Sequence, residues 1–200
     1  MDEELAECLL MWVQTFSVQG EKDSVHALSD GAALSQILHE VSSSFFDEDW
    51  LTTIKADNVS NKHIKISNLK KILRAVISFY EDEIGMRVLE TKKPNLKMVV
   101  ENGNLLEMGR LLQLVLGCAV NCDNKQDYIQ AIMAMEESVQ HGVMTAIQEL
   151  MTQETPMSPG VGESADVATQ LLNTQRELAE TKQANSDLSQ RCNELDMQVG

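Results

Sequence analysis

Residues 121–151 read NCDNKQDYIQAIMAMEESVQHGVMTAIQELM, and taken as one helix the segment is apolar over too wide an arc to lie on a single neighbour. At about 100° per residue, Tyr128, Ile132, Met135, Val139, Val143, Ala146 and Leu150 form one stripe. A second stripe lies beside it: Ile129, Met133, Glu136, Gln140, Met144, Ile147 and Met151. Together they cover roughly half the circumference, whereas a helix resting on one core needs little more than about 100°. The remaining arc, from Asp127 and Gln130 to His141, Gly142 and Gln148, is polar or small. One stripe is expected to face the core, and the other needs a cover: a partner helix, a neighbouring helix of the same domain, or a dimer mate. Two features favour the partner. Methionine is flexible and repacks readily against an incoming apolar helix, and Glu136 and Gln140 in mid-stripe need hydrogen-bond partners once covered.

Composition narrows the function classes. A formal charge of −15 excludes a nucleic-acid binder, which needs a basic footprint. The charge is uneven, however: ten of the sixteen Lys/Arg and only five Asp/Glu fall between Lys55 and Lys97. The densest part, Lys62, Lys65, Lys70, Lys71 and Arg74, is an expected basic face suited to an acidic filament. No apolar run approaches the ~18 residues of a membrane span, and MDEELAEC is not a signal peptide, so a cytoplasmic protein is expected. Cys8, Cys118, Cys122 and Cys192 lie in helical patterns without metal-ligand spacing, which favours free thiols in a reduced compartment. There is no phosphate loop, nucleophile elbow, HExxH or EF-hand, and His26, His39, His63 and His141 are dispersed. Neither an enzyme nor a cofactor is expected.

Along the chain, residues 3–16 carry apolar residues at helical spacing, with Trp12 and Phe16 as bulky core candidates. The turn Leu28–Gly31 leads into a helix AALSQILHEV, since Ser29 and Asp30 are capping types and Gly31 tolerates unusual dihedrals. Phe45, Phe46 and Trp50 are expected to pin a loop to the core. A helix over 65–84 starts at Ser67 or Asn68 and buries Leu69, Ile72, Leu73, Val76 and Ile77, turning Lys70, Lys71 and Arg74 outward. Residues 104–122 are almost continuously apolar and predict the central helix. No two-residue alternation predicts a sheet. Two of the three prolines fall in TQETPMSPGVGES, which reads as a linker over 152–163. From 164 to 200 a heptad is legible, with Leu171, Leu178, Asn185, Cys192 and Val199 at a and Val167, Thr174, Thr181, Leu188 and Leu195 at d. That is the start of a parallel dimeric coiled coil, its register specified by Asn185.

The segments LLMWVQTF, LSDGAALSQILHEV, KISNLKKIL and MGRLLQLVLGCAVNC resemble a divergent calponin-homology fold. The succession LLQLVLGCAVNC, YIQAIM, EESVQH and VMTAIQELM is similar, more narrowly, to the N-terminal domain of the Hook family, over residues 5–151; QRCNELDMQV resembles its coiled coil. The implied architecture is all-α: a calponin-homology-like globule over 1–122, a long extra helix over 123–151 that docks a partner, the linker, and the coiled coil. The resemblance implies a homodimeric adaptor linking cytoplasmic dynein, with dynactin, to endosomal and other membrane cargo carried by C-terminal parts of such proteins. It implies that an amphipathic helix of the dynein light intermediate chain is gripped by the second stripe, where the family's key glutamine and isoleucine fall on Gln140 and Ile147. The alternative is direct binding of microtubules or actin by a calponin-homology domain. Gly142 departs from the family pattern, and its cost of about 1 kcal/mol relative to Ala in a helix marks it as the expected hinge of the segment.

Overall fold

The computed structural model describes residues 1–55, 60–151 and 155–156. Its helices are α1 (Glu3–Val13), α2 (Val25–Leu28), α3 (Ala32–Val41), α4 (Glu48–Thr52), α5 (Lys62–Phe79), α6 (Leu96–Asn102), α7 (Leu105–Asn121), α8 (Lys125–Met133) and α9 (Glu137–Met151). A π turn over Tyr80–Ile84 extends α5, and a single 3-10 turn lies at Glu90–Lys92. The heptads of 164–200, and the expected linker apart from Thr155–Pro156, lie outside the described residues.

The central helix is α7, as its composition predicts. Every residue from Leu111 to Val120 is buried, and α1, α3, α5, α6, α8 and α9 all pack against it. Asn104 starts it, accepting from the Glu107 amide at 2.9 Å, and Glu107 accepts in turn from the Asn95 amide at the head of α6. Helix α3 occupies the expected AALSQILHEV. Gly31 precedes it with φ +81°, and a Cβ there would lie 2.8 Å from Ile72 Cδ1, so both backbone and packing require glycine. The aromatic loop is pinned to the core: Phe46 stacks on Phe79 and meets Trp50, while Phe45 contacts Phe79 edge-on.

Several expectations need correction. Helix α5 begins at Asn61, whose side chain accepts from the His63 amide, and not at Ser67 or Asn68. Asn68 is buried instead and ties two loops together, donating to the carbonyls of Asp30 and Lys55 and accepting from the Lys55 amide. The helix α6 carries no long periodic signal, and no helix was expected there. The described residues do hold one short antiparallel pair, β1 (Met86–Arg87) with β2 (Thr155–Pro156), Met86 opposite Pro156. Two residues per strand are too few to show alternation. Nor does a boundary fall at residue 122, because α9 packs on both α1 and α7 as part of one body. Among the described residues, no single helix is long and apolar enough to cross a membrane.

Candidate partner-docking site

The segment 121–151 is two helices and not one. Helix α7 turns into α8 through a bend of 119°, and α8 ends at Met133, where the Ala134 and Met135 amides close the last turn on the carbonyls of Gln130 and Ile132. Helix α9 restarts at Glu137, with the Gln140 amide donating to the Glu136 carbonyl at 2.8 Å. The break therefore lies at 134–136 and not at Gly142. Glu136 and Glu137 sit at the start of α9, where negative charge is favoured by the helix dipole.

The first stripe faces the core as expected, with Ile132, Val139, Val143, Ala146 and Leu150 buried. Tyr128 stacks on Phe16 and donates its hydroxyl to the Glu40 carbonyl. The second stripe is not an open surface. Gln140 is 8% exposed, Met144 2% and Ile147 1%, and Ile129, Met133 and Met151 are half-buried, leaving only Glu136 exposed. The stripe is enclosed within the domain, where α9 packs on α1, α7 and α8. On the side of α9 away from this stripe, α1 brings Cys8 against Gly142, and the Met1 amino group is 3.7 Å from Glu149 Oε2. From α7, Gln113 Nε2 donates to the Ala146 carbonyl at 2.9 Å. Between the two halves of the segment, Gln140 Nε2 donates to Met133 Sδ at 2.9 Å.

Gly142 has a packing role. A Cβ at this position would lie 2.4 Å from Cys8 Sγ and 2.8 Å from Cys8 Cβ, distances that force α1 and α9 apart. Gly142→Ala is thus expected to destabilise the domain by up to about 2 kcal/mol despite its higher helix propensity, since overpacking costs ~1–3 kcal/mol and propensity returns about 1. Urea denaturation checks this, and Cys8→Gly in the same chain should relieve most of the loss.

Titratable groups add one pH signature. Burial first, then the charges of Cys122, Glu40 and Asp127, push the Tyr128 phenol up to about 12. Because the folded value lies above the unfolded one, near 10, this group's contribution to stability is fully present below pH 10. It is lost as pH rises through about 12. The ultraviolet difference titration between wild type and Tyr128→Phe should have its midpoint near pH 12; a midpoint near 10 would show that the ring is not seated on Phe16. Burial likewise raises the Cys8 and Cys122 thiols, and Cys8, Cys118 and Cys122 form no disulfide among the described residues.

The basic face is smaller than expected. Lys62, Lys70 and Arg74 are exposed on α5, but Lys65 is buried and donates to Ser29 Oγ at 2.8 Å. Lys71 is tied to the Thr53 carbonyl. Periodicity contained this signal, because Lys65 shares the stripe of Leu69, Ile72 and Val76. Gln113 and Gly117 hold α9 against α7, a role that the pattern alone did not single out.

Comparison with known proteins completes the picture. Residues 4–149 match the HOOK domain family. The chain is 47% identical to human Protein Hook homolog 3 over 98% of its own length, and 48% identical to a Protein Hook homolog of Branchiostoma floridae over the same share. It spans 27% of the length of each of these two relatives. The solution structure of the conserved domain of mouse HOOK1 superposes with a TM-score of 0.74 at 46% identity, covering 78% of this chain and 95% of that one. With its calponin-homology-like helical fold, this chain belongs to the Hook family.

Proposed function

We propose that this chain is the motor-facing end of a cytoplasmic cargo adaptor, and that it binds an amphipathic helix of the dynein light intermediate chain between α8 and α9. Through that contact the protein links cytoplasmic dynein and dynactin to membrane cargo carried by the rest of the molecule, for microtubule-based transport. The heptads over 164–200 pair two chains, placing two docking domains on one stalk. The observation that carries the reading is the buried face of Gln140, Met144 and Ile147 on α9, to which the short helix α8, attached through a break, is tied by the Gln140–Met133 hydrogen bond. Ile132 is the one fully buried side chain of α8, so α8 belongs to the least strongly held elements of the domain, the class from which binding elements are drawn. Helix-in-groove recognition uses anchors at i, i+3/i+4 and i+7, the spacing of Gln140, Met144 and Ile147.

Titration of the 200-residue chain with a labelled peptide of the light intermediate chain's C-terminal helix tests this at two salt concentrations. Saturable binding that persists from low to physiological salt supports helix docking, and Gln140→Ala should weaken it by ~1 kcal/mol or more. A second reading, direct microtubule or actin binding, rests on the exposed Lys62, Lys70 and Arg74. Cosedimentation with the filament should then be lost over the same salt range, because exposed charges are screened.

A further inference from the structure

The hydrogen bond from Gln140 Nε2 to Met133 Sδ spans the break at 134–136 and joins α8 to α9. A carboxamide nitrogen is a good donor and a thioether sulfur a weak acceptor. Gln140 is buried, and among the described residues Met133 Sδ is the acceptor its amide nitrogen has. The pair is therefore a hold that any carbonyl or hydroxyl oxygen brought to the same place would outcompete. Elsewhere α8 is held by Ile132 in the core and by Tyr128 on Phe16 and Glu40, contacts that do not involve the face of Gln140.

We infer that Met133 is a positioning residue for partner docking that acts through Gln140, as a latch and not as an anchor. Its sulfur occupies the Gln140 amide while α8 is closed on α9; an incoming helix offers that amide an oxygen acceptor, and the sulfur is released. This rests on the helix-docking reading above, and it reverses the role that periodicity gives Met133. An anchor that is removed weakens binding. A latch that is removed strengthens it, because destabilising the closed arrangement raises the fraction of molecules ready to bind.

The test uses the 200-residue chain with Met133→Leu, which keeps most of the volume but removes the acceptor, and Met133→Gln, which restores an acceptor oxygen at similar reach. Two quantities are read: affinity for the labelled light-intermediate-chain peptide, and amide hydrogen exchange over 134–140 in the free protein. Met133→Leu should exchange faster there and bind the peptide roughly three- to tenfold more tightly, as the loss of one part-buried hydrogen bond implies. Met133→Gln should return both quantities to the wild-type level or beyond it. Weaker binding by both variants would make Met133 an anchor, and tighter binding by both would reflect general loosening; either overturns the inference, as does unchanged exchange in Met133→Leu. If the wild-type chain takes no peptide, the docking reading fails, and exchange alone decides the latch: protection lost in Met133→Leu and regained in Met133→Gln upholds it, and any other pattern overturns it.

Discussion

Gly117→Ala is expected to destabilise the domain by about 3 kcal/mol, against the usual direction for a glycine-to-alanine change inside a helix. A Cβ on Gly117 would sit 1.7 Å from Tyr80 Oη and 2.6 Å from Leu150 Cδ2. Both neighbours are buried, so a Cβ here must displace packed side chains. Tyr80 Oη donates to the Leu114 carbonyl on the same helix, so displacing the ring sacrifices a buried hydrogen bond worth ~1 kcal/mol as well as its packing. Overpacking adds roughly 3 kcal/mol at this degree of overlap, and the gain in propensity returns about 1. For a domain of this size the melting temperature should fall by about 6–12 °C. Thermal unfolding followed by circular dichroism checks it, and a variant as stable as wild type would mean that Tyr80 and Leu150 do not meet over α7.

Ile147→Ala has the second large effect, and it acts twice. Ile147 is 1% exposed, so truncation leaves a cavity between α9 and its neighbours at a cost of roughly 2–5 kcal/mol in stability before any partner is added. Ile147→Val should cost only ~0.5–1.5 kcal/mol. Met151, half-buried on the same stripe, should be much less sensitive to truncation. Denaturant midpoints order the three variants. Should Ile147→Ala prove as stable as wild type, the side chain is not enclosed and the stripe is open. A loss of peptide binding by Ile147→Ala is informative only below its unfolding transition, which makes Gln140→Ala the cleaner probe of docking.

The parts of the fold legible in the sequence are those where local chemistry and burial agree. The run 104–122 is apolar all round and becomes the buried α7. The Asp30–Gly31 pair sets the start of α3, because only a residue at ease with positive φ fits against Ile72. The cover of the second stripe was not legible, since periodicity gives the width of an apolar arc without saying which element fills it. The break at 134–136 was hidden because it contains neither glycine nor proline; its only local mark is the acidic pair Glu136–Glu137 opening a new first turn. Gly142 misled for the complementary reason. Its missing side chain makes room for Cys8 and has no part in bending the helix. Lys65 was assigned outward by charge although its helical position places it inward, and Ser29 supplies the hydrogen bond that lets the position prevail.

The central claim is that a partner helix enters between α8 and α9 onto a face that is closed in the free protein. Methyl-resolved NMR of the methionines during titration with the light-intermediate-chain peptide tests it most directly, because these side chains sample both the stripe and the outer surface. Met133, Met144 and Met151 should shift saturably and together, while Met11 and Met98, exposed on α1 and α6, stay in place. Saturation by the peptide with the Met144 methyl unmoved, or shifts confined to Met11 and Met98, would contradict the account.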